Sequence, residues 1–296
     1  MTLSSFYSRG FYRSASLLAL LIFSPLALMY AQSDSATLQP TTDNGEWFVL
    51  KKEDLAGGTH HTRHAEIFGK YVTGYNYFVL QGIDHVQATA PDGGGYFTGI
   101  KAIPTESPVG YAVKLFDHAL LAPPRTTSYC SGATYAAFIE QLNLIFKEQK
   151  IEVSPERMES LRMQEPDGGR REDGIKFWGK WNDDGFGSHY ALVQYANMGI
   201  EIKPRQARPG DFMNISWQKG LGHSVVFLGY YEDEQHEKNI VYWASQTRTN
   251  GFGDEVVPLS RIKHVKAVRL TAPQNLMIFN VDAPVQRDIP GDVIDW

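Results

Sequence analysis

Cysteine is the scarcest residue of this chain: Cys130 stands alone among 296 residues, so no disulfide can form within the chain. Basic runs and basic helices are missing too, and a formal charge of −5 gives nucleic acid or an anionic membrane surface nothing to bind. There is no phosphate-binding loop, dinucleotide fingerprint, G-x-S-x-G elbow or H-E-x-x-H zinc motif, and no cofactor or metal is expected. Repeats and low-complexity blocks are also absent. Long apolar runs are limited to one, Leu17 to Met29, whose 13 residues fall short of the roughly 20 that span a bilayer.

That run follows Arg9 and Arg13 and ends near the small residue Ala31, the pattern of a secretory signal peptide over 1–31. The expectation is a secreted or periplasmic protein with no stable membrane insertion. Without Arg9 and Arg13, 26 basic residues face 33 acidic ones, a net charge of −7. Residues 32–45 read as a flexible polar leader. Residues 46–110 read as a β-rich N-terminal extension or lobe, with Tyr71 to Leu80 aromatic and β-branched and Gly93 to Gly95 as a turn. A main domain over 111–272 and an irregular tail over 273–296 complete the chain.

What is present centres on Cys130. Pro123 and Pro124 stop regular structure before it, and Thr126, Thr127 and Ser128 offer capping hydroxyls. Tyr135, Phe138, Ile139, Leu142, Ile145 and Phe146 recur at helical spacing, so Cys130 sits at the first turn of an amphipathic helix. The N–H groups and dipole of a helix start favour a thiolate and can steady an oxyanion. The alternative is a small buried apolar residue.

Tyr111 to Leu121 reads as a short helix. Ser154-Pro155-Glu156-Arg157 reads as a helix start, and Ser188 to Met198 as a further helix. Strands are expected at Asp211 to Trp217, His223 to Tyr231, Asn239 to Ser245 and Val265 to Leu270, with Glu232 to Lys238 turning a hairpin and Asn250, Gly251 and Gly253 marking a turn. A helix carrying the nucleophile ahead of an antiparallel sheet indicates an α+β fold. Of nine histidines, His223 has the most telling surroundings: it opens a strand after Gly220 and Gly222, and Pro209-Gly210-Asp211 leads into the strand before it.

Tyr129-Cys130-Ser131-Gly132 resembles the cysteine-bearing helix start of the NlpC-type peptidases. Arg208-Pro209-Gly210-Asp211 through Gly222-His223 resembles their proline-glycine-aspartate and histidine strands. The wider papain-like group, CHAP amidases included, shares this order, and the resemblance covers roughly 111–270. It implies a papain-like (NlpC-type) fold, with the cysteine helix packed on an antiparallel sheet. It also implies a cysteine peptidase or amidase that attacks peptidoglycan or a cell-envelope peptide through a Cys130–His223 thiolate–imidazolium pair. Tyr129 departs from the acid usual before the cysteine, and about ninety residues separate the two halves.

In such peptidases a polar residue on the next strand orients the imidazole. Gln246 is the choice here, with Ser245 and Asn250 as alternatives because a one-residue register slip reverses the faces. For the oxyanion, the backbone N–H of Cys130 is joined by candidate donors Tyr129 and Tyr111, and Ser131 is a further substrate-binding or oxyanion candidate. The competing readings are an inactive glycan- or peptide-binding module on the same fold and an acyltransferase or transglutaminase-like enzyme. A monomer is expected.

Other signals are weaker. His60, His61 and His64 could offer metal ligands but read as a surface turn. Asn182 to Gly185 lacks the alternating acids and the distal glutamate of a calcium loop. Asn214-Ile215-Ser216 is a formal glycosylation sequon in an expected strand.

Overall fold

A computed structural model describes residues 45–99, 109–121, 125–163, 177–178, 187–280 and 289–296. The expected signal peptide, the leader up to residue 44, the Pro123-Pro124 break and the Asn182 to Gly185 loop lie outside the described residues. Every described residue belongs to one compact unit, Thr37–Trp296. No helix of the described residues is long and apolar enough to cross a membrane.

The architecture is α+β. Four α-helices are described: α1 (His64–Phe68), α2 (Tyr75–Thr89), α3 (Cys130–Gln149) and α4 (Pro155–Glu159). The strands are β1 (Val113–Leu115), β2 (His118–Leu121), β3 (Gly199–Ile202), β4 (Phe212–Trp217), β5 (Gly222–Glu232), β6 (Lys238–Gln246), β7 (Gly251–Pro258) and β8 (Ile262–Leu270). The last six form one antiparallel sheet in the order β3-β8-β4-β5-β6-β7. α3 lies on β5 and β6, and α2 packs beside α3.

Alternation along the strands divides the apolar residues between two cores. Val226, Leu228, Val241 and Trp243 face the helices, joined by Phe138, Leu142 and Ile145 of α3 and Val79 and Ile83 of α2. Val225, Phe227, Tyr242 and Ala244 face the other way, over Ile215 and Val265, with Trp47, Trp217 and Trp296 closing that layer. Much of the aromatic content fills core. Phe138 stacks on Trp178 at 5.0 Å, and Trp178 meets Phe212 edge-on at 4.9 Å.

Two expectations are corrected. Residues 46–110 contain α1, α2 and 3-10 turns, with only isolated bridges at Val49, Gly94 and Tyr96 among the described residues, so the β-rich extension is not what forms. Tyr75, Phe78, Val79, Ile83 and Val86 recur at spacings of three and four, and this period outweighs their β-propensity. Their helix also shares the core of α3 and is not a separate lobe. Second, Tyr111 to Leu121 forms the hairpin β1–β2. Val113 and Leu115 are buried with Lys114 exposed between them, and Phe116 takes φ 51° at the turn.

The other elements follow the sequence reading closely. Ser154 caps α4 by accepting from Arg157 N, and the expected helix near Ser188 to Met198 carries a π-helical turn, Tyr190–Tyr195. The edge strand β3 and the strand β7 were not anticipated. Asn214 of the sequon is 2 % exposed and its Oδ1 accepts from Ser188 N and Oγ, so it is closed to carbohydrate.

Candidate active site

The first turn of α3 is pinned to the sheet by hydroxyl bridges. Thr134 Oγ1 lies 2.8 Å from Ser224 Oγ on β5, and Ser128 Oγ donates to Ser245 Oγ on β6 at 2.8 Å. The β5–β6 ladder begins at Val226 and Trp243, which leaves β5 open at Ser224, where the helix start docks. The sulfur of Cys130 sits there, approached by the backbone N–H groups of Ser224, Ser131 and Cys130 itself. Cys130 and the residue next to His223 are therefore direct neighbours.

His223 and Gln246 lie three residues beyond the last β5–β6 pair on each strand, so they stand opposite one another on one face. His223 Nε2 is 3.2 Å from Gln246 Oε1. The amide orientation is fixed from its other end, because Gln246 Nε2 donates to Gly253 O at 3.0 Å and to Thr249 Oγ1 at 2.9 Å. A carbonyl only accepts, so the amide nitrogen must face Gly253 and the amide oxygen must face the imidazole. Neutral His223 then carries its proton on Nε2, and Nδ1 is the nitrogen with a lone pair to take a thiol proton. Tyr242 meets the ring edge-on at 5.3 Å, and Trp217 lies 6.0 Å away.

The alternatives to Gln246 fall elsewhere. The hydroxyl of Ser245 points to the helix side, on Ser128, and exposed Asn250 occupies the β6–β7 turn with φ 49°. Tyr111 does not serve the sulfur: its OH donates to Glu140 Oε1 at 2.9 Å, ten residues along α3 from Cys130 and so about 15 Å away. Tyr129 is the buried N-cap residue of α3, with no side-chain capping bond. Ser131 Oγ is buried without a hydrogen-bond partner among the described residues.

One residue beside the sulfur was not singled out. Gly93, Gly94 and Gly95 all take positive φ, and a Cβ on Gly251 would come within 1.9 Å of Gly93 O, so both strands must be glycine where they cross. The crossing lays Tyr96 along Ser128, where burial and the neighbouring Cys130 raise the phenol's pKa. Thr98 Oγ1 donates to its oxygen at 3.2 Å, so the phenolic O–H is left as a donor. Only the glycine run marks this contact in the sequence.

The electrostatics of Cys130 and His223 both disfavour ionisation. Cys130 is 5 % exposed, and burial pushes its thiol up to about 11, the three backbone N–H groups offsetting only part. Burial likewise lowers His223 from 6.5 to about 4, against the contact with Gln246. Both shifts favour the uncharged forms, a thiol and a neutral imidazole. The folded pKa of His223 lies below its unfolded value, so the unfolded chain takes up a proton first. Stability from keeping the ring neutral is complete above pH 6.5 and is lost as pH falls through about 4. The loss is on the order of 3 kcal/mol. Urea titrations across this range are expected to show it in the wild type and to show it reduced in His223→Gln.

The expected surface turn at His60 to His64 is also corrected. His61 and His64 are 8 % and 0 % exposed and face Asp254 of β7, because each imidazole finds a carboxylate partner inside the fold. Compared with protein-family models, curated proteins and solved structures, the chain matches none.

Proposed function

We propose that this chain is a papain-like cysteine hydrolase that cleaves an amide bond, with Cys130 as nucleophile, His223 as base and Gln246 as the group that orients His223. The observation that carries the reading is the locked amide of Gln246, which aims its oxygen at His223 Nε2 and so prepares Nδ1 as a base, while Cys130 sits at the backbone of the adjacent residue.

Because both groups are neutral at rest, the thiol proton moves to His223 Nδ1 as the sulfur attacks the substrate carbonyl, not before. The oxyanion is held by the N–H of Cys130 and by Tyr96 OH, which takes the part expected of Tyr111. Protonated His223 then hands its proton to the departing amine. Water, deprotonated by His223, adds to the thioester and releases the acid and the thiol. Peptidoglycan or a cell-envelope peptide is the substrate class, carried by the resemblance to NlpC-type peptidases and by the export signal at Arg9 to Ala31; the protein would act outside the cytoplasm as a monomer.

Gln246→Leu removes the hydrogen-bond acceptor at similar size. It is expected to lower kcat by about 10- to 100-fold with little change in KM, since the base loses its orientation and substrate contacts persist. Steady-state kinetics on a cell-wall peptide check this, and an unchanged kcat would remove Gln246 from the site.

A second reading, a binding module without catalysis, draws on one observation: the sulfur is buried and its thiol is held high. Incubation with purified sacculi separates the two. Released peptides identified by mass favour the hydrolase, and saturable binding without release favours the module.

A further inference from the structure

We propose that His61, His64 and Asp254 form a binding site for one divalent transition-metal ion of the zinc class, with Asp84 behind His64 as the residue that orients it. This inference does not rest on the hydrolase reading. The three residues come from separate parts of the chain: His61 from the loop before α1, His64 from the start of α1 and Asp254 from β7. His64 Nε2 lies 2.9 Å from Asp254 Oδ1, His61 Nε2 lies 3.1 Å from Asp254 Oδ2, and all the donor atoms fall within 4.8 Å of one another. A tetrahedral ion bonded at about 2.0 to 2.2 Å requires donors roughly 3.3 Å apart, close to this spacing. The two rings stack at 4.2 Å, which brings both Nε2 atoms to one carboxylate.

Metal-bound histidines are commonly fixed by a carboxylate on the other ring nitrogen. His64 Nδ1 lies 2.7 Å from Asp84 Oδ1, and Asp84 is itself held by the backbone N–H groups of His64 and Ala65 at 2.8 and 3.0 Å. Without an ion, and against the opposing effect of burial, Asp254 and Asp84 raise the His64 pKa to about 9, so a metal ion binds there by displacing a proton. Imidazole and carboxylate donors suit zinc, cobalt or nickel better than magnesium or calcium. A cavity of about 310 Å³ lined by Gly58, Thr59, Thr249 and Asp254 reaches the carboxylate ligand. His61 is the ligand held least ready, because Arg63 N donates to its Nδ1 at 3.1 Å and the ring must give up that contact to bind through Nε2. The ion would tie α1 to β7 next to Gly253, whose carbonyl holds Gln246.

The test uses the folded full chain, stripped with a chelator and then dialysed against Zn²⁺ alone. The expected result is one zinc per chain by elemental analysis and a higher unfolding temperature. Asp254→Asn should lose both effects, and Asp84→Asn should weaken binding by about 10- to 100-fold while leaving all three ligands in place. Because either variant may fail to fold, Co²⁺ is also added to the wild type, where four-coordinate binding is expected to give strong visible absorption. Zinc below one per chain, the same thermal shift in wild type and Asp254→Asn, or Co²⁺ with only the weak spectrum of the aqueous ion would each overturn the proposal.

Discussion

Replacing Cys130 with alanine is expected to abolish release of peptides from sacculi, lowering kcat/KM by at least about three orders of magnitude. His223→Ala should fall to a similar level, and the double variant should be little worse than either single one, because nucleophile and base act as a unit. The reason lies in the neutral resting pair. A thiol with its pKa near 11 is a poor nucleophile at neutral pH unless an adjacent base removes its proton during attack. His223 can do so only through Nδ1, since Nε2 is committed to Gln246. The profile of kcat/KM against pH tests the same point: His223 must be neutral to act, so the acid limb is expected near pH 4 rather than 6.5. Residual activity within tenfold of wild type in Cys130→Ala would show that the sulfur is not the nucleophile.

The largest expected change in stability comes from Asp211, which precedes β4. Its carboxylate accepts from Arg269 Nε and Nη2 at 2.8 and 2.7 Å, from Arg208 N at 2.7 Å and from Asn76 Nδ2 at 2.8 Å. Asp211 is 0 % and Arg269 3 % exposed. A bidentate pair this deep is held by geometry, and removing one partner leaves the other charge buried and uncompensated. Asp211→Ala is therefore expected to cost about 3 to 5 kcal/mol, read as a lower urea midpoint. The contacts join β4, β8 and the first turn of α2, so the Pro-Gly-Asp sequence works as a joint between layers. A cost under about 1 kcal/mol, the range of a surface pair, would contradict this.

The parts of the fold legible in the sequence were those with a clear local period. The 3.6-residue recurrence after Cys130 gave α3, and alternation bounded by glycine and acidic turns gave β4, β5, β6 and β8. Where side-chain type and period disagreed, type misled: α2 is rich in aromatic and β-branched residues, yet its buried positions keep helical spacing. β7 was hidden because Gly251 and Gly253 look like turn residues, while their lack of side chains is what admits the 93–95 segment and Thr59. The site shows the same division. Gln246 could be placed from strand order, and its bond to His223 follows once the register is known. Tyr96 reaches Cys130 only through that crossing of glycine strands, and the thiol's raised pKa comes from burial by distant residues, which a local reading of the helix start cannot register.

In the proposed reaction a carbonyl carbon becomes bonded to the sulfur of Cys130. Rapid acid quenching of the protein with a cell-wall peptide, followed by digestion and mass analysis, tests this directly. An acyl group is expected on the peptide carrying Cys130, removed by hydroxylamine and absent from His223→Ala. Release of cleaved peptide under the same conditions, with Cys130 unmodified at every quench time, would contradict it.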